Sequence, residues 1–254
     1  MPPSERRPRL LILGGTREAA ELAARAEAAG EARVLTSLAG RTTRPAALAG
    51  RVRVGGFGGA AGLAAFLEAE GIDLVIDATH PFAAAISAHA AEACREKGVP
   101  RLALVRPAWK QRSGERWIEV GDAAAAAAAL PGLGARVFLT LGARGLEHFA
   151  ALAGIWFLVR LIERPARPLP LPDHHLILGR GPFDLEAERA LTKRHRIDAL
   201  VTKASGGEAT YAKIAAARLE GVPVVMIRRP PQISGESVAS VDQALAWLAA
   251  RRGG

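Results

Sequence analysis

The chain has 254 residues, 50% of them hydrophobic and 23% charged, which is enough to bury one large core or two smaller ones without disulfides. Its net charge of +9 favours an anionic partner, but the arginines are spread along the chain and aromatic residues make up only 5%, which argues against nucleic acid. A single cysteine excludes a disulfide framework or a multi-cysteine metal site. The sequence has no run of 18 apolar residues, so no membrane span is predicted. We therefore expect a soluble, cytoplasmic protein that binds a small anion, with no metal, membrane or nucleic-acid partner.

The first part of the chain alternates short aliphatic runs with alanine-rich helical stretches. Strands are predicted at 9–13, 33–36, 51–54, 73–77 and 101–105. Helices are predicted at 17–29, 60–70 and 82–97. The strands are continuously apolar instead of alternating, which is typical of a parallel sheet covered by helices on both faces.

After Pro107 the alternation weakens through the segment AWKQRSGERW, which is the predicted boundary between two lobes, residues 1–112 and 113–254. The pattern then resumes, with strands predicted at 136–140, 155–162, 174–178, 199–202 and 222–227. Helices are predicted at 143–152, 185–195, 208–220 and 241–251. The proline-rich segment ERPARPLPLPD is expected to be an irregular loop, because proline supplies no backbone donor.

Two segments of the chain repeat one pattern. The run IDLVIDATHP from Ile72 leads through a helix to GVPRLALVRP, and IDALVTKASGG from Ile197 leads through a helix to GVPVVMIRRP. Each copy is a strand, a polar strand end, a helix, a GVP turn and a strand that ends in arginine, although two βαβ units can resemble each other by chance. The repeat predicts an α/β protein of two Rossmann-like, doubly wound lobes with parallel sheets and a cleft between them.

The first strand runs into LILGGTREA, where Gly14, Gly15, Thr16 and Arg17 form the turn into the first helix. Such a turn presents backbone N–H groups and a helix N-terminus to a phosphate. The full GxGxxG fingerprint is missing, and a tight turn without a ligand would also explain the two glycines. The turn is therefore a candidate phosphate site.

The end of the second strand, TSLAGRTTR, indicates which dinucleotide binds. A site for NAD places an acid here to hold the ribose 2′-hydroxyl, whereas a 2′-phosphate needs hydroxyls and arginine. Thr36, Ser37, Gly40, Arg41 and Arg44 are of the second kind, and the sequence has no acidic residue from position 32 to 67. NADPH is therefore favoured over NADH, unless the two arginines only form part of a solvated loop.

Polar motifs end the central strands of both lobes, DATHPFA in the first and VTKASGGEAT in the second. A helix cap alone does not require both Asp77 and His80, and the carboxyl edge of such a sheet is where ligands bind. In the second lobe, small residues let backbone amides approach an anion, and Lys203 adds a positive charge or a proton donor. The predicted catalytic residues are Lys203, His80 and Asp77.

Six motifs together closely resemble the precorrin-6A reductase family of cobalamin biosynthesis over nearly the whole chain: GGTREA, TSLAG, DATHPFA, GRGPF, TKASGG and GVPVVMIRRP. The resemblance implies that NADPH reduces one double bond in the macrocycle of precorrin-6A to give precorrin-6B, or that the same step occurs on a cobalt-bearing substrate. It also implies cofactor binding by Gly14, Gly15, Thr16, Ser37, Gly40 and Arg41, and Arg17 and Thr79 complete that predicted set.

The implied substrate carries many carboxylates, which the positive net charge suits. The residues expected to contact it are Thr79, His80, Pro81, Phe82, Lys203, Ser205, Gly206, Gly207, Arg228 and Arg229. Transient contact with neighbouring enzymes of the pathway is also expected.

Other functions stay open at this point. A short-chain dehydrogenase is disfavoured, because Ala215 stands where a YxxxK pair that begins at the only tyrosine, Tyr211, would place its lysine. A reductase of another anionic small molecule that uses NADP, or a non-catalytic module that senses a dinucleotide, would share the first lobe. The polar strand ends of the second lobe favour the enzyme, because a sensor does not need them.

Overall fold

The structure, a computed structural model, describes residues 7–40 and 48–251. It divides the chain into two compact units: unit 1 comprises Met1–Arg106 and Pro230–Gly254, and unit 2 comprises Pro107–Arg229. In each unit helices flank a six-stranded parallel sheet, which confirms the predicted α/β class. Within the described residues, no helix is both long and apolar enough to cross a membrane.

Strands and helices alternate along most of the chain. The strands are β1 (Arg9–Leu13), β2 (Arg33–Leu38), β3 (Arg51–Val54), β4 (Leu74–Asp77), β5 (Arg101–Leu104), β6 (Trp117–Val120), β7 (Arg136–Thr140), β8 (Trp156–Leu161), β9 (His174–Leu178), β10 (Ala199–Lys203), β11 (Val224–Ile227) and β12 (Ser237–Val238). The α-helices are α1 (Arg17–Ala28), α2 (Ala60–Ala69), α3 (Ala84–Lys97), α4 (Ala123–Ala128), α5 (Leu185–Arg194), α6 (Ala212–Leu219) and α7 (Val241–Ala249). Leu146–Phe149 is a short 3-10 helix.

Both sheets have the strand order of a doubly wound fold. The order is β3-β2-β1-β4-β5-β12 in unit 1 and β9-β8-β7-β10-β11-β6 in unit 2, with parallel pairing throughout. The chain changes direction across the sheet between β1 and β4, and again between β7 and β10. Ligands of such sheets bind at the carboxyl ends of the strands beside this switch point.

The chain crosses from one unit to the other twice. After β5 the chain enters β6 of unit 2, and after β11 it returns to β12 of unit 1. The predicted lobe of residues 113–254 is therefore wrong for its last part, which belongs to unit 1. The physical reason is packing: β12 pairs with β5, and Val241, Ala244 and Leu248 of α7 complete the core of unit 1.

The core of unit 1 lies on both faces of its sheet. Leu10 and Ile12 pack into one cluster with α1 and α7, while Leu11 and Leu13 pack into another with α2 and α3. Successive strand residues point to opposite faces, so a strand covered on both sides must be apolar throughout. The continuous apolar runs of the sequence thus have the predicted cause.

The elements that the sequence did not predict have weak patterns. The helix predicted at 143–152 is wrong: only a 3-10 turn forms there, because Gly142 and Gly145 have positive φ values of 79° and 92° that interrupt an α-helix. Strand β6 and helix α4 were not predicted. The strand has four residues, and the six alanines of the helix carry no amphipathic pattern.

Candidate functional site

The turn between β1 and α1 leaves one glycine open and closes the other. Gly15 has a φ of +106°, which L side chains rarely adopt, and no atom lies within 4 Å of a Cβ built there. A Cβ on Gly14 would lie 2.9 Å from Cγ2 of Thr36, and its N–H donates to the carbonyl of Ser37 at 2.9 Å. The turn is therefore anchored to β2 at Gly14 and accessible to a ligand at Gly15.

Thr16 fixes the start of α1 at the switch point of the sheet. Its Oγ1 accepts from the N–H of Ala19 at 3.1 Å and donates to the carbonyl of Ala78 at 2.7 Å. The first bond caps the helix, and the second ties it to the end of β4. Arg17 is exposed in the first turn of α1, where helical N–H groups lack an intrahelical acceptor. This arrangement suits the pyrophosphate of a dinucleotide.

The end of β2 holds the residues predicted to contact the ribose. Ser37 is only 6% exposed, and Gly40 has a positive φ of 69° in the turn that follows the strand. Arg41 and Arg44 lie outside the described residues. A hydroxyl and a glycine turn, together with the open Gly15, fit a dinucleotide better than a purely structural loop.

The adjacent edge strand β3 and the loop after it add two residues that sequence reasoning missed, Arg53 and Phe57. Arg53 of β3 contacts Ser37, with Nη1 3.4 Å from its Oγ, and its guanidinium carbon lies 4.0 Å from the ring centroid of Phe57. The signal was present in the sequence as the run GGFGG, which directly follows the strand predicted at 51–54. Glycines at the carboxyl end of a strand are typical of a loop that a ligand approaches.

Asp77, predicted to be catalytic, is a buried acceptor that holds its loop. Its Oδ1 accepts from Oγ1 of Thr79 at 2.7 Å and from the N–H of Thr79 at 3.2 Å. Its Oδ2 lies 3.9 Å from Nη1 of Arg101, and both side chains are less than a tenth exposed. These contacts suit a positioning role for Asp77 and engage the hydroxyl of Thr79.

His80 has a defined ring orientation. Its Nδ1 accepts from the N–H of Phe82 at 3.2 Å, so the neutral ring carries its proton on Nε2. The rings of His80 and Phe82 are 5.8 Å apart, and the carbonyl of His80 accepts from Ala83 at 2.7 Å. Pro81 lies within this turn, and α3 begins only at Ala84. The loop that carries His80 therefore fixes the orientation of its ring through Nδ1.

In unit 2, Lys203 ends β10 and contacts the end of β7. Its Nζ donates to the carbonyl of Leu141 at 2.7 Å. The loop that follows turns sharply, because Gly206 and Gly207 have positive φ values of 68° and 71°, and the N–H of Ser205 donates to the carbonyl of Lys203 at 2.7 Å. The predicted substrate residues of the TKASGG motif thus share one tight loop at the switch point.

Arg229 supports this loop from behind. Its Nε donates to the carbonyl of Ala204 at 2.7 Å, and its Nη2 donates to the carbonyl of Ser205 at 2.8 Å. A Cβ on Gly206 would overlap the carbonyl oxygen of Pro107, and the φ of Gly206, +68°, is one that L side chains rarely adopt, so only glycine fits. The two hydrogen bonds fix the guanidinium of Arg229 against the loop, and its predicted contact with a substrate carboxylate stays a prediction. Arg228 is exposed at the end of β11.

The segment that was predicted to be a weakly patterned boundary packs against the same loop. Nε1 of Trp109 donates to the carbonyl of Gly207 at 2.6 Å, and the hydroxyl of Tyr211 donates to buried Glu115. Burial and the neighbouring Glu115 carboxylate raise the pKa of Tyr211 to about 12. Sequence reasoning missed these residues, because nothing local relates Trp109 to Gly207, about a hundred positions away.

The structure brings the predicted residues together in two sets, each within its own unit. The unit 1 set lies at the carboxyl ends of β1, β2 and β4, and the unit 2 set lies at the carboxyl ends of β10 and β11. Each set borders the switch point of its sheet. Among the described residues, no group of three or more His, Cys, Asp or Glu side chains is placed to hold a metal ion.

Comparisons with known proteins agree with this architecture. The precorrin-6A reductase of Rhodococcus erythropolis is 50% identical over 241 residues, which cover 94% of this chain and 97% of that protein. A solved structure described as CobK precorrin-6A reductase superposes with a TM-score of 0.91 at 44% identity, and the match covers 97% of each chain. A cobalt-precorrin-6A reductase from Priestia megaterium is 29% identical over 236 residues, which cover 87% of this chain and 90% of that protein.

The family model of the precorrin-6x reductases CbiJ/CobK matches residues 9–249, a range that includes both switch points and the returning strand β12. The chain belongs to the precorrin-6x reductase family.

Proposed function

We propose that this chain reduces one carbon–carbon double bond of the precorrin-6A macrocycle to give precorrin-6B in cobalamin biosynthesis, with NADPH as the reductant. The observation that carries the proposal is the open turn at Gly15 in front of a capped helix, in a member of the precorrin-6x reductase family. A reductase needs a hydride source, and this turn suits the pyrophosphate of a nicotinamide dinucleotide.

The choice of NADPH over NADH is supported by the polar end of β2. Ser37 and Gly40 stand where an NAD site carries an acid, and no Asp or Glu occurs from position 32 to 67. Arg41 belongs to the same proposed cofactor site by its place in the sequence. Arg17 and Thr79 flank the turn and the β4 loop, and we include them in the site.

The substrate is proposed to be metal-free precorrin-6A. The Rhodococcus erythropolis protein, a precorrin-6A reductase, shares 50% identity with this chain, whereas the Priestia megaterium cobalt-precorrin-6A reductase shares 29%. A ring with many carboxylates also suits a chain with a net charge of +9. The TKASGG loop, His80 and exposed Arg228 are the proposed contacts.

The reaction adds two hydrogens to the ring. The bound dinucleotide supplies one as a hydride, and the other arrives as a proton. His80 and Lys203 are the proposed groups that deliver this proton or place positive charge beside the ring, because both lie at strand ends and both carry exchangeable protons. Asp77 and Arg229 are proposed to position these two loops.

We also propose a cytoplasmic site of action. The chain has a single cysteine, Cys94, and so forms no disulfide of its own, which is typical of proteins in a reducing compartment. Transient contact with a neighbouring enzyme of the pathway stays a prediction.

The test mixes the purified chain with NADPH and precorrin-6A and follows both the absorbance of the reduced nicotinamide and the mass of the tetrapyrrole. We expect the absorbance to fall while the tetrapyrrole gains two hydrogens. NADPH binding without any change in the tetrapyrrole would support a dinucleotide sensor instead. Cobalt-precorrin-6A, assayed in parallel, is expected to react more slowly.

A further inference from the structure

We infer that Ser37, Arg53 and the loop of residues 55–59, named the GGFGG loop, form a binding site for a phosphate monoester. The inference rests on the proposed function, in which that group is the 2′-phosphate of NADPH. The site would make Arg53 the residue of β3 that distinguishes NADPH from NADH. The contacts of Arg53 carry the argument.

The strand register places Arg53 beside the ribose end of the cofactor site. Ser37 of β2 and Arg53 of β3 are direct partners in the parallel pairing, and partners in register project from the same face of a sheet. Nη1 of Arg53 lies 3.4 Å from Oγ of Ser37. The guanidinium is therefore next to the hydroxyl of Ser37, one of the residues predicted to contact the ribose.

The side chain of Arg53 is fixed before any ligand binds. Its Nη1 donates to the carbonyl of Gly55 and its Nη2 to the carbonyl of Gly56, each at 2.6 Å. The guanidinium carbon lies 4.0 Å from the ring centroid of Phe57 and 5.1 Å from that of Phe66. An arginine held in this way loses little conformational entropy when it binds an anion.

The charge of Arg53 is not neutralised by a carboxylate within the described residues, where its partners are carbonyls, a hydroxyl and aromatic rings. Arg51, two residues earlier on the same strand, shows the contrast, because its Nη1 pairs with Glu70 at 3.2 Å. A fixed guanidinium without an acidic partner is suited to the oxygens of a phosphate.

The GGFGG loop leaves room for the anion. Gly55, Gly58 and Gly59 have positive φ values of 123°, 80° and 102°, and no atom lies within 4 Å of a Cβ built on any of them. A ligand can therefore approach the backbone of the loop without meeting a side chain. The open loop and the fixed guanidinium lie at the same carboxyl edge as Ser37.

The experiment compares two ligands that differ only by a 2′-phosphate, adenosine 2′,5′-bisphosphate and adenosine 5′-monophosphate, by calorimetric titration of the full chain. We expect wild type to prefer the bisphosphate. Arg53→Met should reduce this preference about 10- to 100-fold, because a hydrogen bond to a charged group is lost, while affinity for the monophosphate changes little. Arg51→Met removes the same charge from the same strand, and its preference should equal that of wild type.

Two outcomes would overturn the inference: a wild-type chain without preference for the bisphosphate, or an Arg53→Met variant that retains the full preference. If Arg53→Met fails to fold, as judged by circular dichroism, Ser37→Ala tests the same site and should reduce the preference more weakly. The proposed function fails separately, when wild type binds NADPH but leaves precorrin-6A unchanged.

Discussion

The switch points of the two sheets have the same strand order but different chemistry. In unit 1, β1 is followed by an open glycine turn and a capped helix of 12 residues, whereas in unit 2 the corresponding β7 is followed only by the short 3-10 helix. Each switch point is bridged by a side chain that donates to a carbonyl, Thr16 to Ala78 in unit 1 and Lys203 to Leu141 in unit 2. The hydroxyl of Thr16 adds no charge, so the helix N-terminus alone would attract a phosphate in unit 1. The ammonium of Lys203 adds a positive charge to the loop of unit 2.

The second strands of the two sheets differ in the same sense. Ser37 is the penultimate residue of β2, and Arg160 is the penultimate residue of β8. Arg160 is largely buried and paired: its Nη2 lies 2.7 Å from a carboxylate oxygen of Glu188 in α5, and its guanidinium carbon lies 4.0 Å from the ring centroid of Phe183. The position that faces a ribose in the proposed cofactor site is therefore occupied by an internal ion pair in unit 2. The difference supports the proposal that the dinucleotide binds to unit 1.

The largest expected effect comes from breaking the buried ion pair between Arg160 and Glu188. Arg160→Met should lower the free energy of unfolding of unit 2 by about 3–5 kcal/mol, because Glu188 is left buried and unpaired. Urea denaturation followed by tryptophan fluorescence measures it, since three of the four tryptophans lie in unit 2. The double variant with Glu188→Leu should recover most of the loss. An Arg160→Met variant as stable as wild type would show that the ion pair does not stabilise unit 2.

The next effect separates the two units by function. Lys203→Met should lower kcat/KM for precorrin-6A about 100-fold, because the loop loses its positive charge and proton donor. The Kd for NADPH should stay at the wild-type value, since the cofactor residues belong to unit 1. Steady-state kinetics and a binding titration measure the two quantities, with exposed Lys193→Met as the control. A similar loss of NADPH affinity would remove the distinction between the units.

A substitution in the glycine turn tests whether unit 1 binds the cofactor. Gly15→Ala should raise the Kd for NADPH about 10-fold, because the new side chain is strained at φ +106° and occupies the space proposed for the pyrophosphate. Gly98→Ala is the matched control: its φ is +64° with no atom near the new Cβ, and it lies at the far end of α3. Equal effects of the two variants on Kd would mean that strain alone explains the result.

The last expected effect belongs to Tyr211 and appears only at alkaline pH. Its pKa is raised from the ordinary tyrosine value of 10 to about 12, so the folded state binds more protons than the unfolded state between these values. Stability from this group is complete below pH 10 and is lost as the pH rises to about 12. Tyr211→Phe should flatten that part of the stability curve, which urea denaturation at alkaline pH measures. A wild-type slope in the variant would assign the effect to another group.

Several features of the fold were predictable, because they depend on local pattern. The bounds of β1, β3, β7 and β9 agree with the predicted ranges, since β1, β3 and β9 each end directly before a glycine and β7 ends at a threonine. The strand-end motifs of both units also lie at switch points, as the repeat of βαβ units indicated. In such a fold, polar motifs at the ends of the predicted strands indicate where the candidate site lies.

What could not be predicted depends on contacts between distant residues. Nothing near residue 238 indicates that β12 joins β5, and nothing near Arg229 indicates that its donors are used on the carbonyls of Ala204 and Ser205. Arg53 was missed because its importance depends on the register of β2 and β3. The individual roles of the site residues, and the cleft between the lobes, stay predictions.

The crossing of the chain between the units also has a consequence for synthesis on the ribosome. The free edge of β5 is covered only once β12 has been made, after every strand of unit 2, although β1 and its glycine turn precede unit 2 in the chain. An uncovered strand edge invites pairing with other chains. Unit 1 therefore starts before unit 2 but is completed after it, and a nascent chain that stops before β12 would expose this strand edge of unit 1 while unit 2 is already whole.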